Sequence, residues 1–208
     1  MSLLSKLFHY VLLTKTKYRI DESHGLSHSM NVLNFANAIY EHELPKNPIL
    51  EKYEKTIYVS AILHDMCDKK YMNQTQGLLE INDFLEDKMT NEEIIFTTNI
   101  INTMSYSSVK KNGFPNLGQY QQAYHIVREA DLLTAYDFDR CMIYNMYRMG
   151  GNFQDSYDNA LNLFENRVWK HNEDGLFLTN YSKEHYMDLH KSSVIRCNFW
   201  KKMLKKTM

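Results

Sequence analysis

Apolar residues recur three and four positions apart along most of the chain and almost nowhere in strict alternation, so helical spacing dominates. The spacing predicts helices over residues 2–16, 27–42, 50–64, 75–88 and 91–103, then over 118–136, 138–149, 153–170 and 182–206. Pro45 and Pro48 punctuate a loop after the second helix, and Gly150-Gly151 separates two of the later ones. Thr90 followed by Glu93 is a capping box at the start of the fifth. Residues 104–117 contain Asn112-Gly113 and Pro115 and read as a loop; residues 172–180 read as a loop with room for a short hairpin. The expected fold class is all-α, a single helical bundle over residues 1–208.

Composition narrows the class. With 44% hydrophobic and 24% charged residues in 208, the chain can build one sizeable core. A net charge of -1 argues for neither a nucleic-acid nor a membrane partner. Lys201, Lys202, Lys205 and Lys206 close the chain and read as a solvated helix end whose cations complement the helix dipole, with a phosphate-attracting patch as the alternative. The three cysteines, Cys67, Cys141 and Cys197, are odd in number and form no CxxC pair. That opposes a disulfide framework or a cysteine-built zinc site and suits a reducing, cytoplasmic location. The apolar stretch over residues 3–13 is broken by Lys6 and His9 and is too short to span a bilayer, so it reads as an amphipathic first helix.

Three predicted helices carry chemistry on their apolar stripes. His28 shares a face with Val32, Phe35, Ala36 and Ile39, and His24 lies just before it. His64 ends the stripe of Ile57, Ser60 and Ala61, and Asp65 follows. Two adjacent residues reach one cation only where the helix ends and the backbone turns. Asp131 shares a face with Val127, Thr134 and Ala135, and a carboxylate there is costly unless paired or metal-bound. Two histidines and two aspartates suit one divalent cation of intermediate hardness: Mn, Fe, Ni, Co, Zn or Mg. Singly, each has a plainer reading: a hydrogen-bonded core histidine, a helix end, or Asp131 paired with Arg128 at the helix surface.

The order His, His-Asp, Asp and its context resemble the HD-domain metal-dependent phosphohydrolase superfamily. The resemblance is carried by Ser23-His24-Gly25-Leu26-Ser27-His28-Ser29-Met30-Asn31-Val32, by Ala61-Ile62-Leu63-His64-Asp65 and by Arg128-Glu129-Ala130-Asp131-Leu132-Leu133, within residues 20–140. It implies an all-helical HD-like domain with a helical extension over 138–208, metal ligands at His28, His64, Asp65 and Asp131, and a nucleotide or similar small phosphorylated substrate. His64-Asp65-Met66-Cys67-Asp68-Lys69-Lys70 is similar to the His-Asp-x-x-Asp-x-Lys signature of one branch that contains nucleotide pyrophosphohydrolases. There Asp68 orients or activates the attacking water and Lys70 binds phosphate as a point charge. Without the resemblance, Asp68, Lys69 and Lys70 read as a solvated turn. His24 either bonds a phosphate oxygen, protonates the leaving group, or is a plain loop histidine. Lys110 and Lys111 add phosphate contacts or only solubility.

The chain departs from that branch on the substrate side. Met104 stands where the branch commonly has a His, and Leu132 and Thr134 where it tends to have Arg and Asp. These departures motivate an alternative: a catalytically weak metal- or nucleotide-binding module that acts through a protein partner. A two-iron oxygenase, which some HD proteins are, needs further histidines before the last Asp, and only His125 is available. A nuclease is disfavoured because no aromatic–basic interleaving is present. Tyr144, Tyr147, Phe164, Trp169 and Trp200 suit core or homodimer contacts rather than base stacking. His171, His185 and His190 read as surface residues or as support behind the site.

Overall fold

The computed structural model describes residues 1–207, and every regular element among them is helical. The first helix, α1 (Leu3–Tyr18), turns Leu7 and Val11 inward and leaves Leu4, Leu12 and Leu13 exposed, as an amphipathic helix should. Its N-cap Ser2 accepts the Ser5 N–H at 3.2 Å. The next helix, α2 (Leu26–Glu43), buries His28, Val32, Ala36 and Ile39 on one face. A 3-10 turn over Pro48–Tyr53 then leads into α3 (Glu54–Leu63).

Helix α3 is buried on nearly every side and divides the interior in two. Ile57 and Ala61 belong to a core shared with α2 and α7 (Gln121–Thr134). Val59, Ile62 and Leu63 belong to a second core closed by α1, α4 (Gln74–Leu85) and α5 (Asn91–Thr103). The Thr90–Glu93 capping box opens α5. Helices α8 (Phe138–Arg148) and α9 (Phe153–Asn166) pack as a pair, and α10 (Asn180–Thr207) crosses α2, α7, α8 and α9. Phe164, Trp169 and Trp200 pack into or against the first core, whereas Tyr147 is exposed. No helix among the described residues is long and apolar enough to cross a membrane, and all three cysteines are free.

The structure corrects the sequence reading in four places. The segment 104–117 is not all loop: α6 (Tyr106–Asn112) lies within it, capped by Ser105 and closed by Gly113 at φ +75°. Only Val109 of that helix is buried, so it has no apolar stripe to announce it. Residues 172–180 form no hairpin. Part of their backbone is held by Glu129, which accepts from the N–H of Leu178 and Thr179 at 2.9 and 3.1 Å and from the Thr179 hydroxyl at 2.7 Å, and Asn180 N–H donates to Glu43 at 2.8 Å. Arg128 is buried and donates to Glu129 at 3.0 Å, so the alternative pairing with Asp131 at the helix surface does not form. His171 is fully buried, not at the surface. The ends of three predicted helices are also 3-10 turns, over Pro48–Tyr53, Gly118–Tyr120 and Val168–Lys170.

Candidate metal centre

Three helices deliver the four predicted ligands to one place. His28 sits in the first turn of α2, where the chain enters through Gly25. His64 and Asp65 follow the last residue of α3, and the backbone tightens there, with Met66 N–H bonding Leu63 and Asp68 N–H bonding Asp65. That turn lets both neighbours face the same point. Asp131 comes from the last turn of α7.

The ligand atoms form a tight set. His28 Nε2 lies 3.0 Å from His64 Nε2, and Asp65 Oδ2 lies 3.1 and 3.2 Å from those nitrogens. Asp131 Oδ1 is 3.4 Å from His28 Nε2 and 3.6 Å from His64 Nε2. Atoms about 2.1 Å from a single ion lie about 3.0 Å apart at right angles and about 3.4 Å apart at the tetrahedral angle. The spacings among His28, His64 and Asp65 fall in that range, whereas Asp131 stands up to 3.6 Å from the histidine nitrogens. Asp65 Oδ2 is buried close to both imidazoles, with no N–H aligned on it among the described residues. His64 Nδ1 donates to the Ala61 carbonyl at 2.9 Å, which leaves the lone pair on Nε2. Among the described residues His28, His64 and Asp65 form the one close group of His, Cys, Asp and Glu side chains with metal-site spacing; Asp131 lies outside that group, near its two histidine nitrogens. The three donors His28, His64 and Asp65 have the chemistry and spacing that suit one divalent ion.

Electrostatics bind the set together. Burial works against charge on His64, but Asp65 and Asp131 outweigh it and push the imidazole up to about 9. Burial likewise opposes ionisation of the two carboxylates. Histidines hold both well below the usual carboxylate range, His64, His24 and His28 for Asp65, and His28 and His64 for Asp131. A cation held here would take the place of that proton.

A cavity of about 680 Å³ opens over His64, Asp65 and Asp131. The side chain of Asp131 is 30% exposed to it, whereas that of His28 is 1% exposed. Asp68 and Lys70 line the cavity, and their ion pair is 3.1 Å long, with the Lys70 N–H also donating to Asp68 at 2.9 Å. Burial opposes charge on Lys70, but Asp68 and Asp65 raise it, so it remains an ammonium. His24 is buried beside them. Its Nε2 lies 3.3 Å from Lys70 Nζ, and its Nδ1 lies 2.7 Å from Ser23 Oγ and 3.0 Å from the Tyr71 hydroxyl. Ser23 and Tyr71 in turn donate to the two oxygens of Asp21. Both hydroxyl protons go to Asp21, so His24 carries its own proton on Nδ1 and presents a lone pair from Nε2 to Lys70.

Met104 and Leu132 are buried and form apolar parts of the cavity wall, whereas Thr134 turns back to bond the Asp131 carbonyl at 2.7 Å. Lys111 lines the cavity, and Lys110 lies outside it over Tyr106. His125 bonds Gln121 at 3.0 Å, away from the metal group.

Sequence reasoning missed Asp21, Tyr71, Arg140, Tyr144 and Arg167. The signal for Tyr71 is its place beside Lys70. Arg140, Tyr144 and Arg167 come from the region after residue 138 and reach the cavity only because α8 and α9 pack over it, which no local pattern discloses. No family model, curated protein or solved structure matches the chain.

Proposed function

We propose that the chain is a metal-dependent phosphohydrolase of a nucleotide or similar small phosphate ester, with His28, His64, Asp65 and Asp131 holding one divalent cation. The observation that carries this reading is the triangle of His28 Nε2, His64 Nε2 and Asp65 Oδ2, with edges of 3.0, 3.1 and 3.2 Å, at the base of a cation-lined cavity. A divalent ion there supplies an acidified water and offsets phosphoryl charge. The chain's own groups do the rest. Asp68 orients the attacking water and takes its proton. Of the three ammonium protons of Lys70, one points to Asp68 and one to His24 Nε2, leaving the third for a phosphate oxygen. His24 therefore acts through Lys70 as a positioning residue, held by Asp21, Ser23 and Tyr71. The three free thiols suit a reducing compartment, and the proposal places the chain in the cytoplasm.

The test is release of phosphate or pyrophosphate from a nucleotide panel and from generic phosphodiesters, with added Mn²⁺ or Mg²⁺. Turnover supports the reading, and none with any substrate refutes it. A second reading, a weakly catalytic metal- or nucleotide-binding module acting through a partner, is favoured by one observation: Met104 and Leu132 make the wall apolar. Thermal stabilisation by nucleotide without turnover selects it.

A further inference from the structure

Arg167 stands where α9 gives way to the 3-10 turn Val168–Lys170, on the wall of the cavity over the metal centre. Its guanidinium carbon lies 3.9 Å from the ring centroid of Tyr106, the first residue of α6. Stacking fixes the plane of the guanidinium but satisfies none of its N–H groups. Its Nε is buried without an acceptor, and no carboxylate among the described residues lies within ion-pair distance of it.

The other basic groups of this wall differ. Lys70 is held by Asp68 and His24, and Arg140 donates to the Ser23 carbonyl. Lys69 and Lys111 are exposed. Arg167 alone among these is a half-buried cation with none of its donors committed, Arg140 committing its Nε, and Asp131 offsets the Arg167 charge only at a distance. Leaving such a group unpaired is costly unless an anion completes it. A planar fork held flat on a ring suits two oxygens of one phosphoryl group.

We propose that Arg167, braced on Tyr106, receives a phosphate of the substrate at the wall formed by α6 and α9, separate from the phosphate contact assigned to Lys70. The identity of the anion rests on the phosphohydrolase reading; the presence of an anion site there does not.

The test is calorimetric titration of inorganic phosphate into the Mg²⁺-loaded protein, with Mg²⁺ affinity measured in parallel. Arg167→Met should weaken phosphate binding by about 10- to 100-fold, the loss typical of a charged hydrogen-bond pair. Mg²⁺ affinity and the melting temperature should stay near wild type. Arg167→Lys should recover part of the loss, because charge returns without the fork. Tyr106→Leu should weaken phosphate binding, whereas Tyr106→Phe keeps the stack and should not. Phosphate affinity unchanged in Arg167→Met, or no phosphate binding by the wild type, overturns the proposal. Wild-type protein that binds phosphate through Arg167 yet hydrolyses no ester refutes the phosphohydrolase reading and leaves this inference standing. Turnover with Arg167-independent phosphate binding does the reverse.

Discussion

His28 and His64 bring their Nε2 atoms within 3.0 Å of each other although they open one helix and follow another. The two ring nitrogens face each other at hydrogen-bond distance, and two aspartates crowd the same point. A fold that needed only a packed interior would not gather four polar side chains there, because each carries a desolvation cost. Under the proposed function a cation bound between them would offset that cost.

The turn that carries His64, Asp65, Asp68 and Lys70 is pressed against α4 at Gly77. A Cβ on Gly77 would lie 2.6 Å from Cys67 Cβ and 2.9 Å from Cys67 Cα. Gly77→Ala should therefore destabilise the protein by about 1–3 kcal/mol, the usual cost of overpacking a tight contact. It should also weaken metal binding by shifting the turn. Urea unfolding and Mn²⁺ titration check both; wild-type values for both would show that the contact is slack.

Tyr71 bridges Asp21 and His24. Removing its hydroxyl in Tyr71→Phe should lower turnover about 10-fold by loosening His24 and, through it, Lys70, with little effect on metal affinity. The loss should fall on phosphate-dependent steps, so KM and kcat should respond while the Mn²⁺ Kd does not. A variant with unchanged kinetics removes Tyr71 and Asp21 from the account.

His171 is buried with both ring nitrogens unpartnered, ringed by Tyr106, Tyr136 and Phe177. Burial and then the Arg167 cation lower it from 6.5 to about 3. The unfolded chain thus binds more protons than the folded one between those values, and stability must fall as pH falls through that window. From pH 7 to pH 5 this one residue should cost about 2 kcal/mol. His171→Phe should remove that part of the loss. Urea midpoints at the two pH values measure it, and equal drops in wild type and variant would contradict the assignment.

The fold class was legible because helical spacing is a property of neighbouring residues. The stripe of α2, the capping box of α5 and the glycine break after α8 all appear in the structure where the pattern puts them. The meeting of His28, His64 and Asp65 was legible for a different reason: a His on an apolar stripe is costly without a partner, so it marks itself, and Asp65 follows His64 where its helix ends. What stayed hidden depends on distant packing. α6 buries only Val109, and residues 172–180 are held by Glu129 from another helix. Arg140 and Arg167 become cavity residues only when α8 packs on the Glu22–His24 turn and α9 packs on α8.

The most direct test of the central claim is calorimetric titration of Mn²⁺ into chelator-stripped protein, wild type beside His64→Ala and Asp65→Ala. The account predicts one ion per chain in the wild type and affinity lower by more than about 100-fold in each variant, since each removes one of four ligands and unbalances the rest. Absence of Mn²⁺ binding in the wild type, or equal affinity in either variant, would contradict it.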